Sequence, residues 1–141
     1  MNVGILFAII AALSFGVWTV FHQYAAEHIN YLFGAIIVSL TAVILGLVFL
    51  IPQIKTITIY SNPKGILFAA LAGVCALAID FFALKAYGSG LSISVGGPVI
   101  IGGSVAIAAV LGFFLGESIT LLKIFGLALV IAGSGILSAL S

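Results

Sequence analysis

Charge is what this sequence has least of: four lysines and three acidic residues among 141. Soluble domains are about a quarter charged, so a chain at 5% charged cannot present an ordinary hydrated surface. A formal net charge of +1 provides no basic face for neutralising phosphates, which excludes nucleic acid as a partner. Cysteine is nearly absent. Cys75 stands alone, which rules out an intrachain disulfide and a thiolate metal cluster, and its place in an apolar run reads as a small core or lipid-facing residue. Polar connections are short as well: HQYAAEHIN, PQIKTITIYSNPK, GSG and GE. None could house a soluble domain or a flexible linker, so residues 1–141 read as a single domain.

What is present is apolar. At 65% hydrophobic residues and a mean hydropathy of +1.50, the composition is that of an integral membrane protein. Five apolar runs, Val3 to Phe21, Leu32 to Ile51, Gly65 to Tyr87, Leu91 to Leu115 and Ile119 to Leu140, are each long enough to cross a hydrocarbon core of about 30 Å as a helix. Helices are required because lipid cannot satisfy open backbone groups. No basic residue precedes the first run and four similar runs follow, so it is expected to be a retained span. The fold class is therefore an all-α bundle of five transmembrane helices in the cell membrane. Lys55, Lys64 and Lys123 fall on the N-terminal side and Lys85 on the other, a bias that favours a cytoplasmic N-terminus and leaves room for insertion both ways.

The stretch from Leu77 to Ser104, LAIDFFALKAYGSGLSISVGGPVIIGGS, concentrates the unusual residues. Asp80 is the one carboxylate within a long apolar run, and an intramembrane acid is costly to keep unless it works. Its helical neighbours Gly73, Ala76, Ala83 and Tyr87 make a small face that should turn inward. Lys85 is about 140° round the helix from it, so it is expected to extend to the interface and leave Asp80 without a cation. Such a carboxylate is suited to taking a proton or a cationic substrate in alternation; the alternative is a hydrogen-bonded structural acid clamping two helices. Ser14, Trp18 and His22 recur at helical spacing on the first span. They read either as a cavity wall, with Trp18 offering a ring face to a cation, or as a back-bonded serine beside two interfacial rings, with His22 at the membrane edge. Glu27 and His28 are adjacent and point apart on a helix, so they make no metal site.

Small residues mark the packing surfaces. Ala35, Ser39, Ala42 and Gly46 form one stripe. Gly96, Gly97 and Pro98 read either as a helix break, a kink near the membrane midplane, because proline removes a backbone donor and disfavours helix before it, or as glycines that only permit close packing. Gly126 and Gly133, seven apart on one face, read as a dimer contact.

The run ALKAYGSG, the Pro98 that follows it, and LGFFLGESITLLKIFGLALVIAGSGIL resemble the last three helices of the EamA-type domain of the drug/metabolite transporter superfamily. AALSFGVWTVFHQYA is similar to that domain's first helix. The resemblance implies a transport function and places Gly116-Glu117 in the tight connection before the last helix, with Glu117 favouring that helix's positive end. Two departures stand out. Most members carry two such domains in inverted topology, whereas this chain has one. The related small multidrug resistance proteins use a first-helix Glu, near whose place this chain has Ser14.

The expected function is secondary-active transport of a small metabolite or organic cation, proton-coupled through Asp80, by a homodimer of five-helix halves, antiparallel in its simplest form. The expected partners are therefore a small-molecule substrate, membrane lipid and a second copy. The alternatives are a flippase for a lipid-linked sugar and a non-transporting assembly subunit. No nucleophile–base pair or metal-spaced cluster points to an enzyme, and no motif calls for a cofactor or metal.

Overall fold

In the computed structural model, which describes residues 3–58, 62–118 and 120–139, five helices follow in order: α1 (Val3–Ala26), α2 (Tyr31–Leu50), α3 (Pro63–Gly88), α4 (Ile93–Phe114) and α5 (Leu121–Ala139). A 3-10 turn over Ile51–Gln53 ends α2, and no strand occurs among the described residues. All five helices are long and apolar enough to cross a membrane. The chain is a multi-pass, all-α membrane bundle.

The helix starts follow from local chemistry. Asn30 caps α2, its Oδ1 accepting the N–H groups of Leu32 at 3.1 Å and Phe33 at 3.2 Å. Asn62 caps α3 by accepting from the Lys64 N–H at 2.9 Å. Pro63 follows at the first helical position, where an N–H would be unpaired anyway. Gly90 at φ +96° and Gly116 at φ +86° make the left-handed turns after α3 and α4.

Two expectations are corrected. The first span does not end at Phe21: α1 continues to Ala26, because nothing in His-Gln-Tyr-Ala-Ala breaks a helix and the first stop is the connection ending at Asn30. The α4 helix is also not divided at its middle. It runs from Ile93 to Phe114 with Pro98 inside it, in its second turn. There the proline removes only the donor that would bond the Ser94 carbonyl, near the start of the helix.

Burial is concentrated at one end of the bundle. On α1 the buried residues are Thr19, His22 and Ala26; on α2, Gly34 and Ala35; on α3, Asp80, Ala83, Leu84 and Tyr87. On α4, Val95, Gly96 and Gly97 join them. These residues lie where α1 and α3 end and where α2 and α4 begin, so the four helices converge there. At the other end Val3, Phe7, Leu47, Phe68 and Val74 are exposed, an apolar outer surface of the kind that faces acyl chains. Among the described residues, helix α5 packs on α4 alone.

Candidate functional site

The inward face of α3 is set by helical spacing: Asp80, Ala83, Leu84 and Tyr87 sit at i, i+3, i+4 and i+7 and all are buried. Ile79 and Phe82 turn outward. Leu84 is fully enclosed and rests on Gly34 of α2, where an added Cβ would lie 2.8 Å from its Cδ1. This close α2–α3 contact fixes Asp80 toward α1.

Helices α1 and α3 cross in the same direction, being two spans apart, and each brings a titratable group near its end. His22 is four residues, about 6 Å, before the end of α1, and Asp80 eight residues, about 12 Å, before the end of α3. Their side chains meet inside the bundle, Nε2 of His22 lying 3.1 Å from Oδ1 of Asp80. The sequence suggested an Asp80 without a cation and a His22 at the membrane edge. The extra turn of α1 carries the imidazole inside and against the carboxylate, so Asp80 has a hydrogen-bonding partner in His22 that the sequence reading did not give it.

The protons on this pair are constrained by its neighbours. Nδ1 of His22 lies 3.2 Å from the Trp18 carbonyl, one turn back. A carbonyl only accepts, so Nδ1 carries a proton and donates it there. The Nε2–Oδ1 contact needs one further proton, because a bare ring nitrogen and a carboxylate oxygen are both acceptors. The His22 ring also stacks on the Trp18 ring, centroids 3.7 Å apart, and Phe15 extends the stack at 4.8 Å.

Two grooves reach the pair. A groove of about 720 Å³ between α1 and α2 is lined by Ser14, Trp18, Phe21 and His22, with Thr41 opposite and Leu84 at its floor. A groove of about 400 Å³ between α1 and α3 is lined by Ala11, Ser14, Phe15, Trp18, Ala76 and Asp80. Ser14 and Trp18 therefore border both grooves, with His22 on one side and Asp80 on the other. The Ser14 hydroxyl donates to the Ile10 carbonyl of its own helix at 2.9 Å.

The remaining candidates fall elsewhere. Tyr87 lines neither groove. Its ring packs on the bare backbone of Gly96, and its buried hydroxyl has no hydrogen-bond partner. Gly97 meets Thr19 of α1 at ordinary contact distance, and Gly97 and Pro98 line a third, mostly apolar groove of about 440 Å³ among α1, α4 and α5. The backbone of Gly126 and Gly133 is open: a Cβ added at either would meet nothing within 4 Å. Glu117 departs from its expected role. Its carboxylate lies over Gly112 in the last turns of α4, because the left-handed Gly116 turns the chain back. The Oγ1 of Thr120 accepts the Lys123 N–H at 3.3 Å at the start of α5 instead.

Sequence reasoning missed Thr19 and Gln23. Thr19 is buried with its hydroxyl donating to the Gly16 carbonyl at 2.7 Å, and the Gln23 Oε1 is buried without a partner. Thr19 lies one residue from Trp18, and continuing the helix past Phe21 would have put Gln23 one turn beyond it. Among the described residues no group of three His, Cys, Asp or Glu side chains is placed to hold a metal ion.

Comparison with curated proteins and with solved structures finds no match. The model of the EamA-like transporter family, however, matches residues 2–139. A match over nearly the whole chain agrees with five apolar spans around a buried polar pair, and this chain belongs to the EamA-like transporter family.

Proposed function

We propose that the chain is a secondary-active transporter of small metabolites or organic cations, coupled to protons through His22 and Asp80. The observation that carries this reading is the buried Nε2–Oδ1 contact at 3.1 Å inside an otherwise apolar bundle. Ionisable groups are expensive in a bilayer, and replacing a buried ion pair with packed apolar residues is often neutral or stabilising. A pair kept at the meeting of two grooves is therefore better explained by work than by support. Trp18 borders both grooves beside the pair, so a substrate in either would meet its indole.

Two copies would complete the pathway, most simply in opposite orientations, as inverted halves do in larger transporters. The open backbone at Gly126 is the part of α5 we assign to that contact, since Gly133 borders the groove that α5 shares with α1 and α4. A flippase for a lipid-linked sugar is less well supported. The groove between α1 and α2 carries no lysine along its lining, and the Lys123 Nζ is turned to the Ser118 carbonyl at 2.8 Å.

The test is reconstitution in vesicles loaded with a pH-sensitive dye. Amino acids, sugars, polyamines and quaternary amines are first screened for thermal stabilisation, since a ligand of the folded state raises apparent stability. A stabilising compound should then drive proton flux with the unaltered chain and not with Asp80→Asn. Equal flux, with the same pH profile, from Asp80→Asn would remove Asp80 from the mechanism.

A further inference from the structure

We propose that the proton shared by His22 and Asp80 is a latch that holds α1 against α3 and keeps the converged end of the bundle shut. The proposal rests on the transport reading above but makes a separate claim, about shape rather than flux.

The geometry supplies the logic. With Nδ1 committed to the Trp18 carbonyl and one further proton on the pair, two arrangements allow Nε2 and Oδ1 to sit 3.1 Å apart. Either imidazolium donates to carboxylate, or carboxylic acid donates to neutral imidazole. Both hold one proton in the contact, and both leave the pair with no net charge. Loss of that proton gives the pair a net negative charge and leaves the ring one proton for two acceptors, the Trp18 carbonyl and the Asp80 carboxylate; while Nδ1 keeps it, a ring lone pair faces the carboxylate. The contact that fits the loaded pair then becomes repulsive in a low dielectric, where such interactions are strong.

No neighbouring charge relieves this state. The pair is the one ion pair among the described residues. On α3 the nearest titratable groups along the chain are Cys75 and Lys85, both exposed, and Tyr87, whose buried hydroxyl is packed toward α4. On α1 and its following turn, Tyr24, Glu27 and His28 are exposed, and His28 bonds its own helix at Tyr24. Helix α2 contributes Tyr31, seated on Gly88, and α4 has no titratable side chain at all.

The closed end also contains a reason to open. The Gln23 Oε1 and the Tyr87 hydroxyl are buried there without partners, and each would gain a hydrogen bond if water entered. Closure thus has an internal opponent, and the shared proton is what opposes it. Since the proton is bound at low pH, the end is closed there and opens as pH rises.

The experiment uses the full chain with Cys75→Ala, spin-labelled at Tyr24→Cys and Phe82→Cys. These two exposed positions lie two residues beyond His22 and Asp80. The chain is reconstituted in phosphatidylcholine vesicles, and the label–label distance distribution is measured by pulsed electron resonance from pH 4.5 to 10. We expect a short-distance population at low pH that gives way, as a single-proton titration, to a longer one. In Asp80→Asn the amide can donate to Nε2 or accept from it, so the short distance should persist throughout. A distribution that does not change with pH in the parent chain overturns the latch, as does the same transition in Asp80→Asn. The parent series alone decides the first outcome if Asp80→Asn does not fold. Substrate-driven proton flux with an unchanging distance would sink the latch and leave the transport reading intact. Opening without flux would do the reverse.

Discussion

Gly96→Ala should destabilise the bundle relative to Gly103→Ala, although both add one methyl group to the same helix. An alanine Cβ at Gly96 would lie 2.5 Å from the Tyr87 Cε1 and 3.1 Å from the Leu91 Cδ2, against the 3.4 Å at which ordinary contact begins. Tyr87 is 3% exposed, so its ring has little room to retreat and α4 must shift from α3. Overpacking of this kind costs about 1–3 kcal/mol. At Gly103 nothing lies within 4 Å, and only the helix preference of alanine over glycine remains, about 0.8–1 kcal/mol in its favour. That preference acts at both positions and cancels in the comparison, so the two variants should differ by about 1–3 kcal/mol. The single tryptophan, Trp18, stacks on His22 at the converged end, so its fluorescence can follow equilibrium unfolding in mixed micelles of rising dodecyl sulfate content. In a Tyr87→Val background the Gly96→Ala penalty should largely vanish, because close neighbours couple energetically. A difference below about 0.5 kcal/mol, within the usual additivity error, or a penalty that survives Tyr87→Val, would refute the reasoning.

Three further outcomes are expected. Tyr87→Phe removes a buried hydroxyl that has no partner and should stabilise the folded chain by about 1–3 kcal/mol in the same titration; a loss of stability would mean the hydroxyl is bonded. Gly102→Ala would bring a Cβ to 2.5 Å from the Ser134 Oγ, prising α5 from α4. Hydrogen exchange should then speed up in α5 and stay unchanged in α2 and α3, and a uniform increase would contradict the peripheral place of α5. In a Cys75→Ala chain carrying Ser89→Cys, an exposed position after α3, an impermeant thiol reagent should label about half the molecules in intact cells, as dual insertion requires; labelling of nearly all or nearly none would exclude the opposed dimer.

The fold was legible because lipid leaves few choices. Runs of about 20 apolar residues can only be helices, and the small face around Asp80 turns inward at Ala83 and Tyr87, whereas Gly73 and Ala76 are exposed. The helix bounds failed where polarity was taken for an end. His22, Gln23 and Tyr24 look like a connection by composition, but a helix stops at a capping or breaking residue, and here the connection closes at Asn30. That misplacement hid the pair, since His22 becomes a partner for Asp80 only when α1 is allowed its last turn. Pro98 failed for a related reason. Its effect depends on how many turns precede it, and that number is known only once the start of α4 is fixed at Ile93. Glu117 could not be placed at all from spacing, because its direction is decided by the sign of φ at Gly116.

The attachment of α5 to α4 alone among the described residues divides the sequence into parts under different selection. Changes in α1 to α4 alter whether the chain folds and whether His22 meets Asp80. On the proposed pairing, changes on the outer face of α5 would leave both untouched and alter only the contact with a second copy. A duplicated copy could therefore exchange a self-pairing surface for one that accepts only its sister by a few substitutions in this last helix, with the polar centre inherited intact.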